Sequence, residues 1–123
     1  MKLHLTTAEN NNLITAYSES YIEINKQRYA QNLIVMPESI TLDWNAENVS
    51  TLNNDHFQEI SKLKPEVVLL GTGKTHLFLH PKNYQILTEN GIALECMTTA
   101  AACRTYNILM SEGRVVAAAL ILE

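Results

Sequence analysis

Val67-Val68-Leu69-Leu70-Gly71-Thr72-Gly73 is an unbroken apolar run closed by a Gly-Thr-Gly turn. Apolar residues with no polar alternate fit a strand covered on both faces, the habit of parallel sheets flanked by helices. A longer run, Val115-Val116-Ala117-Ala118-Ala119-Leu120-Ile121-Leu122, follows the break Glu112-Gly113-Arg114 and reads as a central strand. Its alanines predict a helix packed closely over it. Between the two runs, Pro81 opens a helix over 82–89 that Asn90-Gly91 closes. Ile92 to Met97 forms the next strand. Thr98 or Thr99 then caps a helix running to about Glu112, and Gly113 ends it. This part of the chain reads as βαβαβ-like.

The residues before Val67 read differently. Tyr21-Ile22-Glu23-Ile24 alternates and leads into Asn25-Lys26, a tight-turn pair. Gln27 to Met36 is an apolar-leaning stretch that stops at Pro37, and Ile40-Thr41-Leu42-Asp43-Trp44 alternates with period two. Leu13 to Tyr17 adds a further strand. These pieces predict an antiparallel meander. Phe57, Ile60 and Leu63 then mark a short helix, with Asn54 or Asp55 as its cap, Lys62 and Lys64 at its C-terminal end, and Pro65 as its stop.

The chain has 123 residues, enough for one domain with a core of its own, and no linker-like stretch divides it. It is 46% hydrophobic and 18% charged, with twelve Asn and eleven Thr filling the charge deficit. Disordered chains are charge-rich and hydrophobe-poor, so this composition disfavours disorder. Nine basic against thirteen acidic residues disfavour a phosphate-tracking nucleic-acid binder. Residues 1–66 hold five basic and nine acidic residues, whereas 67–123 hold four of each. No run approaches the roughly 18 apolar residues of a membrane span. Met1 to Thr7 carries neither a signal-peptide core nor an Arg-rich presequence. Cys96 and Cys103 lie among apolar residues, which predicts buried, reduced thiols and a cytoplasmic setting.

Candidate chemistry is sparse. Gly71-Thr72-Gly73-Lys74-Thr75 invites comparison with a phosphate-binding loop, but Val68 stands where its first glycine is required. A milder reading remains: open α/β sheets bind ligands beyond the carboxyl ends of their strands. Gly71, Thr72 and Gly73 could share such a crevice with the helix start at Thr98 and Thr99, offering N–H groups to an anion. His76 and His80 sit in an extended segment without a third ligand, so no metal site is expected. Cys103 reads as an inert core thiol, and the carboxylates form no acid–base pair; no catalytic residue and no cofactor are assigned.

At 100° per residue, Thr99, Ala102, Cys103, Tyr106, Leu109 and Met110 share one face of the long helix. Arg104 falls opposite, with Ala100, Ala101, Asn107, Ile108 and Ser111. That side is small and apolar for a solvent face, so Arg104 and Asn107 are read as candidates for contact with another element or another chain.

The strings Pro65 to Gly73, Thr98 to Asn107 and Glu112 to Leu120, centred on Ala102-Cys103-Arg104-Thr105-Tyr106-Asn107-Ile108-Leu109, resemble a small uncharacterised α/β family. That family includes bacterial and archaeal proteins, a human adipogenesis-associated protein and mitochondrial respiratory complex I assembly factor 3. The resemblance implies a three-layer α/β single domain over 1–123 with a mixed β-sheet, and no established enzyme activity. The chain departs from the family pattern at Thr98, where relatives are commonly acidic, and at Ala100, where they often have Gly.

Two functional expectations result. The first is a non-enzymatic protein-binding or assembly-factor-like domain that meets a protein partner, or a second copy of itself, around Arg104. The second is a binder of a small anionic ligand, or an enzyme, built on the Gly71–Gly73 turn and the Thr98/Thr99 helix start.

Overall fold

Successive residues of a strand point to opposite faces, so an unbroken apolar run makes both faces of its sheet apolar. The structure, a computed structural model, describes residues 11–122; the readings made on the first ten residues lie outside it. Strands β1 (Ile14–Tyr17), β2 (Ile22–Ile24) and β3 (Gln27–Tyr29) form a small antiparallel sheet in chain order. Strands β4 (Leu33–Met36), β5 (Ser39–Thr41), β6 (Val67–Gly71), β7 (Ala93–Met97) and β8 (Val116–Leu120) form a larger one, ordered β5-β4-β8-β6-β7. In it β6 runs parallel to both β7 and β8, and β4 runs antiparallel to β8 and β5. The sheet is mixed, with β8 at its centre.

Among the described residues three α-helices complete the domain: α1 (Asn54–Ser61), α2 (Gln85–Glu89) and α3 (Thr99–Ser111). Val68, Leu70, Ala117 and Ala119 meet Phe57, Ile60 and Leu87 on one face of the large sheet. Val67, Leu69, Val116, Ala118 and Leu120 meet Ala102, Cys103, Tyr106 and Met110 on the other, with Ile14, Ile22 and Ile24 of the small sheet. The result has three layers: α1 and α2, the five-stranded sheet, and α3 with the small sheet. Burial on both faces explains why β4, β6 and β8 read as continuous apolar runs.

Asn25 and Lys26 both adopt positive φ, at 50° and 73°, as a two-residue hairpin turn requires. The helix expected over 82–89 is a 3-10 turn at Pro81–Tyr84 followed by α2, and of the run 115–122 only Val116–Leu120 is strand, with Val115 exposed. Three further boundaries differ from the sequence reading. Gln27 to Met36 is two strands in different sheets, because the Asn32 side chain leaves the ladder to donate to Ala46 and Glu47 carbonyls and accept from the Leu122 N–H. The strand expected over Ile40 to Trp44 stops at Thr41; Trp44 instead turns inward, buried, and donates Nε1–H to the His56 carbonyl. The cap of α1 is Asn53 rather than Asn54 or Asp55. Its side chain accepts from the Asp55 N–H, while His56 Nδ1 accepts from the Asn53 N–H. Among the described residues no helix is long and apolar enough to cross a membrane.

Candidate functional site

The turn after β6 and the start of α3 meet through backbone. Thr98 caps the helix, its hydroxyl accepting from the Ala101 N–H at 3.2 Å. Thr99, one residue on, is buried and bridges three segments. Its hydroxyl accepts from the Gly73 N–H at 2.8 Å and donates to the Ile121 carbonyl at 2.7 Å. The Thr99 N–H donates to the Gly73 carbonyl at 2.9 Å. One side chain thus joins the turn after β6, the residues following β8 and the helix. Gly73 supplies the left-handed turn, with φ at 91°. Gly71 serves closeness instead, since a Cβ there would lie 2.9 Å from both Cα and Oγ1 of Thr99.

Thr72 completes the turn. It is 2% exposed, and its hydroxyl donates to the Thr75 carbonyl at 2.6 Å and accepts from the Leu77 N–H at 3.2 Å. Its own N–H donates to the Met97 carbonyl at 2.8 Å. The N–H groups of Thr72 and Gly73 are therefore bonded within the chain. The sequence reading has both facing an anion; each instead holds the turn to its neighbours.

Of the residues read as a crevice, Gly73, Thr98 and Thr99 border a cleft, whereas Gly71 and Thr72 do not line it. The cleft has a volume of about 400 Å³ and is also lined by Tyr17, the last residue of β1, and by Ser18 and Glu19 of the following turn. Its walls are mostly apolar, including Ala100, Ile121 and Leu122. Lys74 and Glu19 pair beside it at 3.2 Å, both exposed. Sequence reasoning misses Tyr17, Glu19 and Lys74 as site residues. The first two arrive through sheet packing that no local pattern reports, whereas Lys74, directly after Gly73, carries a usable positional signal.

Arg104 sits one helical turn beyond Ala100, exposed, and donates through Nη1 to the Tyr17 hydroxyl at 3.1 Å. It therefore borders the same cleft through a shared aromatic wall. Asn107 does not reach the cleft; its amide accepts from the Ile14 N–H at 3.0 Å and donates to the Ile14 carbonyl at 2.8 Å. The small apolar side of α3 is thus partly covered by β1, while Ile108 stays 57% exposed.

Cys96 and Cys103 are free thiols. Burial pushes the Cys103 thiol up to about 12 and raises that of Cys96, so both hold their protons at neutral pH. Among the described residues no group of three or more His, Cys, Asp or Glu side chains is placed to hold a metal ion. The cleft can hold an apolar group or a side chain, with a cation and a hydroxyl at its margin.

Residues 14–121 match a family described as protein of unknown function, DUF498/DUF598. The chain is 34% identical over 110 residues to the Mus musculus NADH dehydrogenase (ubiquinone) 1 alpha subcomplex assembly factor 3, covering 88% of this chain and 59% of that protein. The chain spans about three-fifths of the length of such curated relatives. A crystal structure of a Bordetella parapertussis protein superposes with a TM-score of 0.86 at 38% identity, covering 92% of this chain and 97% of that one. A Bordetella pertussis protein described as a Mth938-like domain superposes with a TM-score of 0.80 at 32% identity, covering 90% and 85%. With the fold, the two sequence blocks and nearly the whole domain in agreement, the chain belongs to the DUF498/DUF598 family.

Proposed function

We propose that this chain is a non-enzymatic protein-binding domain of the assembly-factor kind, which meets its partner on the surface shared by Arg104, Tyr17 and the adjoining cleft. The observation that carries this reading is the Arg104–Tyr17 contact beside a largely apolar recess. Arginine and tyrosine next to a pocket are the composition of interface hot spots, where a partner side chain fills the recess and the guanidinium binds a carboxylate. The relatives named as assembly factors support a polypeptide partner. The two free thiols support a reducing, cytoplasmic setting.

A second reading draws on the cleft's size. About 400 Å³ falls within the range of small-molecule pockets, and Gly73, Thr98 and Thr99 do line it together. A small anionic ligand would then sit near Lys74.

The test is affinity capture from the native cell with wild type and Arg104→Ala in parallel, with melting temperatures of both. The expected result is a partner lost or weakened about tenfold by Arg104→Ala, with melting unchanged within about 2 °C. A partner set indifferent to Arg104→Ala overturns the reading and favours the small ligand. A large fall in melting temperature without change in capture makes Arg104 a structural residue.

A further inference from the structure

Strand β7 ends the large sheet, and among the described residues its outer side faces no other strand. The Met97 carbonyl accepts from the Thr72 N–H, so the backbone of Met97 points toward β6. Strand groups alternate in direction, which puts the N–H and C=O of Ala93 and Glu95 on that same side. Those of Leu94 and Cys96 point outward. Such an edge is usually blunted by a bulge, a proline, a lysine or a covering segment. At β1 the Asn107 amide does this, bonding both backbone groups of Ile14. At β7 the register with β6 is unbroken over five residues, and its charged residue is Glu95.

Next to this edge stands an apolar knuckle. Phe78 is 79% exposed and Leu77 43% exposed. The segment is held in place: the Thr72 hydroxyl bonds Thr75 and Leu77, the Leu79 backbone lies beside the Cys96 thiol, and the His76 and Phe78 ring centroids lie 4.4 Å apart. Leu79 packs onto the core cluster that also takes Leu94 and Cys96. The knuckle therefore belongs to the Leu94/Cys96 face of the edge, and Glu95 to the opposite face.

We propose that β7 and the Leu77–Phe78 knuckle receive an extended segment of a partner protein as a sixth strand, apolar on the face toward Phe78 and basic on the face toward Glu95. The outward groups of Leu94 and Cys96 demand an extended backbone, since only that presents donors and acceptors at strand spacing. Glu95 decides between partners. In self-pairing centred on β7 it meets its own copy, and like charges directly opposite are destabilising, whereas a lysine or arginine across from it is favourable. The surface does not use Arg104, so either reading can fail without the other.

The probe is a blocked hexapeptide alternating valine and lysine, followed by backbone amide resonances and hydrogen exchange. Saturable shifts and slowed exchange are expected at the Leu94 and Cys96 N–H groups. Phe78→Ser should weaken binding about fivefold or more, with melting unchanged. Glu95→Lys should weaken it about tenfold and transfer the preference to a peptide alternating valine and glutamate. Absence of slowed exchange at Leu94 and Cys96 at millimolar peptide overturns the proposal. So do shifts centred on Tyr17 and Arg104. Sedimentation showing a dimer that Phe78→Ser dissociates replaces the partner segment with a second copy, and equally overturns it.

Discussion

At Gly71 the sheet and the long helix touch through bare backbone, with Thr99 Cα 2.9 Å from where a Cβ would stand. Gly71→Ala must push the helix start away from β6, and with it the hydroxyl that bridges Gly73 and Ile121. A loss of about 1–3 kcal/mol is expected, the usual cost of overpacking a close contact. Urea unfolding measures it; a change below about 0.5 kcal/mol would show that α3 shifts freely. Gly73 was legible as a turn glycine because Gly-Thr-Gly after an apolar run requires positive φ somewhere. Gly71 was legible as a glycine of the turn, but its reason was not. Closeness to Thr99 arises between residues far apart in the chain.

Beside the apolar packing of Ile14, Ile22 and Ile24, few polar groups bond the small sheet to α3. Asn107 bonds both backbone groups of Ile14, and the Tyr106 hydroxyl donates to the Asn12 carbonyl at 2.7 Å. Asn107→Ala removes two bonds and leaves the Ile14 groups without them, so a loss of about 1–3 kcal/mol is expected. Hydrogen exchange should locate it: amides of β1 and β2 should speed up, while those of β6 and β8 should not. Equal acceleration throughout would mean that the two sheets unfold as one unit. The elements themselves were largely readable, from the hairpin at Asn25-Lys26 to the long helix and the apolar strands. Two of the misplaced boundaries share one cause. Asn32 and Trp44 bond to chain segments elsewhere, so tertiary partners overrode local pattern, whereas the α1 cap is a local capping box between Asn53 and His56.

At the scale of the whole molecule, the layer under α3 contributes to the response to alkali. Burial raises the Cys103 thiol from 9.0 to about 12 and pushes the Tyr106 phenol well above its ordinary value. Folded chains then hold protons that unfolded chains release, so this stability is fully present below pH 9 and declines as pH rises toward the folded values. The urea midpoint should fall between about pH 9 and 11, and Cys103→Ala should flatten the first part of that fall. A pH-independent midpoint over this range would refute the assignment. Glu66 behaves oppositely. The Arg114 guanidinium and the Val115 N–H hold its carboxyl below the usual range, so its contribution fades as pH falls through that lowered value. The pair is exposed and the contribution small.

The amino-acid sequence by itself determined most of the elements and their apolar faces, because apolar periodicity and helix punctuation are local quantities that a chain carries openly. Unbroken apolar runs assigned Val67 to Leu70 and Val115 to Leu122 to a sheet covered on both sides, and the helix faces followed from angular position. The tertiary structure decided what the exposed residues do. It turned Asn107 from a candidate contact into a tether and engaged the N–H groups of Thr72 and Gly73. It also brought Tyr17 to Arg104 across 87 residues of chain, left β7 at the edge of the large sheet among the described residues, and left Phe78 exposed. Local sequence specifies which face of an element is apolar. Which polar groups meet across elements depends on the packing of all the layers at once.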